Sequence, residues 1–253
     1  MKQPIYIISL SSEKKRRENI SKQLKKLSLD FEFYDACDLR GIDESTANKY
    51  VTQDVAFNKP SRNLTKGEIG CTLSHLNLIH KINHIDSSSH LLILEDDAII
   101  DKRISDIISS EKLNEFEWDI IILGYSKLEE NESTLFYVKE PIKTKIKIND
   151  IKIGSVWKEW TCGTVGYLVN NNSLAKFNEL PIVTTADDWH YIKNKLDLII
   201  CHTRPLLVFE DFQKFSSSIE DERKHLLKRK LKVLDFYRYL RGIARLIMLK
   251  FRK

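Results

Sequence analysis

The stretch Leu91-Leu92-Ile93-Leu94-Glu95-Asp96-Asp97 constrains this chain more than any other. Four consecutive apolar residues read as a short buried strand. Three carboxylates follow at once. Like charges repel and each is costly to desolvate, so packing alone gives no reason to gather them there. A positive group has to sit among them, and a divalent cation that also holds a phosphate would resolve the conflict. The chemistry this suggests is that of an enzyme acting on a phosphorylated donor.

At the C-terminal end of a strand in an α/β sheet, side chains face the crevice where ligands bind. If the chain stays extended, Glu95 and Asp97 point to the same side. Asp97 is then the expected metal ligand with Glu95 beside it, and Glu95 or Asp96 holds a ribose hydroxyl or a metal-bound water. Oxygen donors favour Mn²⁺ or Mg²⁺ over zinc. The plainer alternative is a solvated turn in which an aspartate caps the next helix.

The remaining pattern agrees with an α/β sheet. Residues 5–10 read as a strand, Ser11 or Ser12 as the cap of a helix reaching Leu27, and residues 31–34 as a second strand. A loop is expected at 59–63, then a helix from Thr65 to about Ile85. Strands are expected at 119–123, 165–169, 198–201 and 206–209, and a helix at 173–180. Between Lys127 and Val156 the periodic signal is weak, apart from a Lys/Ile alternation over 143–148.

At 253 residues and 42% hydrophobic content the chain has enough apolar mass for a large core. It has no apolar run of about 18 residues to cross a bilayer, and the opening apolar run is too short for a signal peptide. Cys37, Cys71, Cys162 and Cys201 lie far apart without zinc-ligand spacing, the pattern of reduced thiols in a cytosol. The net charge of +5 conceals an asymmetry. From Arg223 to Lys253 there are twelve Lys or Arg and one acid, a net of +11, so the preceding residues carry −6. An acidic body, residues 1–219, thus carries a basic tail, residues 220–253. Phe236, Leu240, Ile243, Ile247 and Phe251 recur at helical spacing. Arg238, Arg241, Arg245 and Arg252 follow the same spacing two residues on, which places the stripes on nearly opposite faces. Such a helix suits an anionic membrane surface, with arginines on the head groups; the alternative is a helix packed on the acidic body. A basic tail is also the footprint of a non-enzymatic nucleic-acid- or carbohydrate-binding protein. The acidic body and the absence of an aromatic-basic RNA motif argue against nucleic acid as a partner.

A second motif is Gly67-Glu68-Ile69-Gly70-Cys71-Thr72-Leu73-Ser74-His75 at the start of the long helix. Its glycines permit close backbone approach, to a ligand or to the sheet. Taken with Ile5 to Leu10 followed by Arg16-Arg17, Phe33-Tyr34-Asp35-Ala36, Leu94 to Asp97, Gly163 to Val169 and Ser216 to Ile219, this order resembles glycosyltransferase family 25 over residues 4 to 219. That is the family of bacterial lipooligosaccharide sugar transferases. One departure is Ser9, where many relatives carry asparagine. The resemblance implies a GT-A-like fold, a mixed, mostly parallel sheet flanked by helices, to which the basic amphipathic helix is appended. It implies a UDP-sugar donor, a lipooligosaccharide acceptor, transfer with inversion, and a peripheral place on the inner face of a bacterial inner membrane. Ser9, Leu10, Arg16, Asp35, Glu68, Ser74, His75, Glu95 and Asp96 are the expected donor-binding residues.

Inversion by one displacement needs a base that is not a metal ligand. Within Thr184-Thr185-Ala186-Asp187-Asp188-Trp189-His190, Asp188 is the first candidate and Asp187 the second, with Trp189 placed to stack on an acceptor sugar. Both aspartates also suit the first turn of a helix capped by Thr185. Trp157 and Trp160 are candidates for the acceptor cleft or for the core. His202 is expected to be structural, and Ser216 to Ser218 to form a loop near the donor.

Overall fold

The computed structural model describes residues 3–52, 64–83, 89–211, 214 and 232–251. The expected 59–63 loop, Ser216 to Ser218 and the 219/220 boundary lie outside them. In chain order the elements are β1 (Ile5–Ser9), α1 (Lys14–Lys26), β2 (Glu32–Asp35), α2 (Glu44–Asn48), α3 (Lys66–Ile82), β3 (His90–Glu95), β4 (Ala98–Ile100) and α4 (Ile104–Ile108). There follow β5 (Ile120–Ile122), β6 (Gly124–Tyr125), α5 (Ser133–Lys139), β7 (Lys143–Ile148), β8 (Ile151–Ser155), β9 (Gly166–Asn170), α6 (Trp189–Leu196), β10 (Ile200–Arg204), β11 (Val208–Glu210) and a last helix, α7 (Lys232–Phe251).

Eight strands form one sheet in the order β2-β1-β3-β9-β5-β10-β8-β7. Only β8 and β9 run against the rest. A mixed α/β sheet is therefore what the chain builds. The strand period of two sorts its side chains onto two faces. Tyr6, Ile8, Leu91, Ile93, Tyr167 and Val169 join Leu76 and Ile79 of α3 and Ile192 of α6 on one side. Ile5, Ile7, Leu92, Leu94 and Leu168 join Ile20 and Leu24 of α1 and Ile104 and Ile107 of α4 on the other. Burial on both faces is why these strands read as unbroken apolar runs. A second sheet, β4-β11-β6, stands beside the main one.

One local expectation is corrected and two are refined. Neither Ser11 nor Ser12 caps α1: its N-cap is Glu13 without a side-chain bond, and two tight turns lead in, from Glu13 N to the Leu10 carbonyl and from Lys14 N to the Ser12 carbonyl. The helix expected over 173–180 is present, as a 3₁₀ helix over Asn171–Glu179. The weak region holds α5 and the β7–β8 hairpin, whose alternation reflects the sheet edge. By contrast Thr65 caps α3 as expected, in a reciprocal capping box with Glu68.

Among the described residues, the tail helix turns three of its arginines toward the body, while Arg252 lies outside them. Arg238, Arg241 and Arg245 donate to Glu140 at 3.3, 2.8 and 3.2 Å, just past the end of α5. The helices approach so closely at Gly242 that a Cβ there would lie 2.1 Å from the Val138 carbonyl oxygen. For these three arginines the alternative of a helix packed on the acidic body holds, in place of the expected head-group contacts. No helix among the described residues is long and apolar enough to cross a membrane.

Candidate active site

Because β2, β1 and β3 are parallel neighbours, their C-terminal ends meet at one edge of the sheet. Ser9 ends β1 and Glu95 ends β3, and the N-terminal half of α3 packs beside them. A cleft of about 790 Å³ opens there. Ser9, Leu10, Arg16, Glu68, Ser74, His75, Glu95, Asp96, Asp97 and Asp187 all line it. Asp35 and Asp188 do not.

The chain does not remain extended through the carboxylates. Glu95 closes the strand, and Asp96 and Asp97 form the turn into β4. The three side chains consequently meet different partners. Arg16 Nη1 donates to Asp96 Oδ1 at 3.1 Å and to Asp97 Oδ2 at 3.0 Å. Ser9 Oγ donates to Asp96 Oδ2 at 2.6 Å. Arg17 Nε donates to Ser9 Oγ at 3.1 Å, and its Nη2 reaches the Ser9 carbonyl at 2.8 Å and also pairs with Asp35. Asp35 thereby orients Arg17 from the rim, and Arg17 orients Ser9. The positive group demanded by the sequence is in part Arg16 itself.

That neutralisation is incomplete. Asp97 is 7% exposed, and its Oδ1 is a buried acceptor without a hydrogen-bond partner. Burial first, then the charges of Glu95 and Glu210, push its carboxyl well above the ordinary carboxylate range against the pull of Arg16. Burial likewise raises Asp96, opposed by Ser9 and Arg16. Burial would raise Glu95 too, but hydrogen bonds from His75 and Thr164 and the charge of Arg16 hold it below its usual value. An unpartnered buried carboxylate oxygen on a cleft wall is the feature a hard divalent cation satisfies. The oxygen donors of Asp97 and its neighbours therefore fit Mn²⁺ or Mg²⁺.

Glu95 finds its hydrogen-bond partners on α3 and before β9. His75 Nε2 lies 3.3 Å from Glu95 Oε1, and His75 Nδ1 is hydrogen-bonded to the Tyr167 hydroxyl at 2.8 Å. Thr164 donates to the same Glu95 oxygen. Cys71, one turn before His75, completes a group with His75 and Glu95 whose donor atoms lie within 4.8 Å of one another. Ser74 braces the wall: its Oγ accepts from Cys37 N at 2.8 Å and donates to the Gly70 carbonyl. Gly70 is required there, since a Cβ would lie 2.7 Å from the Cys37 carbonyl oxygen. Glu68 lines the cleft while its carboxylate closes the helix cap through Thr65 N at 2.9 Å.

The two adjacent aspartates are divided by the start of α6. Asp188 is its N-cap: Oδ1 accepts from Tyr191 N at 3.1 Å and Oδ2 from the Thr184 hydroxyl at 2.9 Å. Asp187 instead reaches the cleft and accepts from Gly163 N at 3.2 Å. Gly163 has φ +89°, and a Cβ on it would fall 1.9 Å from Ser126 Oγ and 2.8 Å from Ser126 N. Gly163→Ala is therefore expected to destabilise the fold by about 2 kcal/mol or more, checked by urea unfolding; an unchanged midpoint would contradict the strained loop. Trp189 is not placed to stack on a sugar, because it is 2% exposed and donates to the Gly163 carbonyl.

The other aromatic candidates are structural. Trp160 stacks on His202, and Trp157 lies beneath Lys143 and Arg245. His202 bridges Glu159 at 2.8 Å and the Tyr125 hydroxyl at 2.7 Å within the core. Burial lowers the pKa of both His202 and His90. A histidine lowered on folding contributes stability that is lost as pH falls below its unfolded value of about 6.5. Both rings should stay neutral as pH falls through 6.5, as followed by imidazole ¹⁵N shifts; titration at 6.5 would contradict this burial.

A model of glycosyltransferase family 25 (LPS biosynthesis protein) matches residues 2–189, which includes every residue named above as lining the cleft. The chain belongs to glycosyltransferase family 25. A putative glycosyltransferase of Haemophilus influenzae is 30% identical over 212 residues, covering 83% of this chain and 64% of that protein. Procollagen galactosyltransferase 1-B of Xenopus laevis is 25% identical, covering 66% of this chain and 26% of that protein. Lipooligosaccharide biosynthesis protein lex-1 of H. influenzae is 26% identical, covering 90% of this chain and 85% of it. The chain thus spans just under two thirds of the first relative and about a quarter of the second.

In this family 25 chain Thr164, Tyr167 and Cys71 surround Glu95 and His75 without being among the expected site residues. Thr164 and Tyr167 reach the site from the antiparallel β9 region, inserted between β3 and β5, and no local pattern announces that pairing. Cys71 and His75 do stand at i, i+4, a spacing that puts two donors on one helix face; that signal was available.

Proposed function

We propose that this chain is an inverting, metal-dependent hexosyltransferase of GT-A type. It moves galactose, ranked ahead of glucose, from a UDP-sugar to a saccharide hydroxyl of lipooligosaccharide. The observation that carries the reading is the unpartnered Asp97 Oδ1 on the wall of a large cleft, in a chain of family 25. The names of the galactosyltransferase and lipooligosaccharide relatives support the donor and the acceptor. A lipid-linked acceptor places the work at the cytosolic face of the inner membrane.

Asp97, with Glu95 or Asp96, would hold Mn²⁺ or Mg²⁺, which supplies charge stabilisation for a departing diphosphate. The protein's own residues prepare the rest. Arg16 stands between Asp96 and Asp97 as a fixed counter-charge. Lys66, Lys127 and Lys214 line the same cleft, where they suit an anionic leaving group. Ser9 and Arg17 hold the Asp96 carboxylate in one orientation. Tyr167 and His75 do the same for Glu95. The acceptor hydroxyl is weakly acidic and needs a carboxylate to take its proton as the new bond forms. Asp187 meets that need: it lines the cleft, it comes from a different element than the acidic turn, and Gly163 N orients it. Asp188 is engaged as a helix cap and is set aside for this role.

The test is a thermal-shift panel of UDP-sugars with and without Mn²⁺, followed by UDP release with an acceptor saccharide. Stabilisation by UDP that requires metal, greatest with UDP-galactose, is expected. Equal stabilisation by unrelated nucleotides without metal would refute the reading.

A further inference from the structure

α7 turns Arg238, Arg241 and Arg245 to the body and leaves an apolar face outside. Phe236, Tyr237, Leu240, Ile247, Met248 and Phe251 are 48–82% exposed. At 100° per residue they fall within an arc of roughly 120°, so they form one stripe along the helix. The body holds this helix by a charged contact: three guanidiniums converge on the buried carboxylate of Glu140, and Arg245 also lies 5.2 Å above Trp157. Close approach at Gly242 adds a steric register. The helix is thus seated in one rotation about its axis, and that rotation is the one that exposes its apolar side.

What covers the stripe is indicated by the charges at its two ends. In the sequence Arg223, Lys224, Lys228, Arg229, Lys230 and Lys232 precede it, and Lys250, Arg252 and Lys253 follow it. None of these nine is an arginine of the Glu140 contact. An apolar stripe flanked along the sequence by cations on both sides has the composition that suits an anionic bilayer, with acyl chains for the apolar residues and head groups for the cations.

We propose that α7 lies in the plane of an anionic membrane with Phe236, Leu240, Ile247 and Phe251 inserted, and that Glu140 clips the catalytic body to it in a fixed orientation. The purpose of this docking rests on the lipid-linked acceptor proposed above. It reverses the polarity read from the sequence, in which arginines were to meet the lipid. It turns the tail from a tether into a mount that sets how the body stands on the bilayer.

Flotation of the full chain with vesicles of phosphatidylglycerol and phosphatidylcholine tests it, against phosphatidylcholine alone. Wild type is expected to float with the anionic vesicles. Phe236→Asp/Phe251→Asp, at exposed positions, should lower partitioning on the order of tenfold or more. Arg238→Gln should float like wild type, because that side chain faces Glu140. Glu140→Gln should also float, with faster amide exchange along α7. Equal flotation of the double Phe variant, loss of flotation in Arg238→Gln, or a dimer in lipid-free sedimentation that the Phe changes dissolve would each overturn the proposal. Metal-dependent UDP stabilisation measured on the same samples reports on the donor cleft separately. UDP binding without flotation defeats the docking alone, and flotation without UDP binding defeats the transferase reading alone.

Discussion

Asp97→Asn is expected to remove Mn²⁺-dependent UDP binding, to reduce sugar transfer by roughly a hundredfold or more, and to raise the thermal stability of the metal-free protein. The opposing signs are the diagnostic. Asp97 is buried among Glu95, Asp96 and Glu210 with one oxygen unpartnered. Its carboxyl is raised on folding, so the native state binds this proton more tightly than the unfolded chain. Stability on that account falls as pH rises from the unfolded value of about 3.9 through the raised native one. An amide carries no charge to desolvate and does not repel its neighbours, so the variant escapes that loss. A site that costs stability in the absence of its ligand is built for the ligand. Melting curves and UDP titrations with and without Mn²⁺ check both halves. A variant that melts lower and still binds UDP with metal would show that Arg16 alone satisfies the acidic turn.

The second large effect separates two adjacent residues. Asp187→Asn should lower turnover by about 10²- to 10⁴-fold, the range for a lost general base, with donor binding and melting temperature nearly unchanged. Asp188→Asn should keep turnover within severalfold of wild type and lower stability by about 1 kcal/mol, because its carboxylate caps α6 and accepts from Thr184. The expectation follows from position. Asp187 reaches the cleft, whereas both oxygens of Asp188 are engaged in holding the helix start. Wild-type turnover in Asp187→Asn, or its loss in a fully folded Asp188→Asn, would return the role to Asp188.

The residues of the site differed in how far each could be read from the chain alone. The acidic turn was legible because four apolar residues before three carboxylates place like charges at the end of a buried strand, where burial makes each costly. Thr65 and Glu68 were legible as a helix start because a capping box involves only neighbours three apart. Arg16 was not assigned as the counter-charge, since its partners lie 80 and 81 residues away and a Lys/Arg run on an early helix is usually solvated. The orientation of α7 stays open in the sequence for a related reason. Helical spacing defines two stripes, but only the distant Glu140 decides which of them faces the body.

The sequence by itself determined the alternation of strands and helices, the apolar runs of a sheet covered on both faces, the place of the carboxylates at a strand end, and membership in family 25. All of these are carried by residues near one another in the chain or by motif order. Tertiary structure alone decided that Asp96 and Asp97 share Arg16 while Glu95 turns to His75, that Asp187 rather than Asp188 meets the cleft, and that Arg238, Arg241 and Arg245 turn to Glu140. Each of those outcomes depends on which charge finds which across a gap of tens of residues. A pairwise electrostatic match of that kind leaves no periodic trace in the chain.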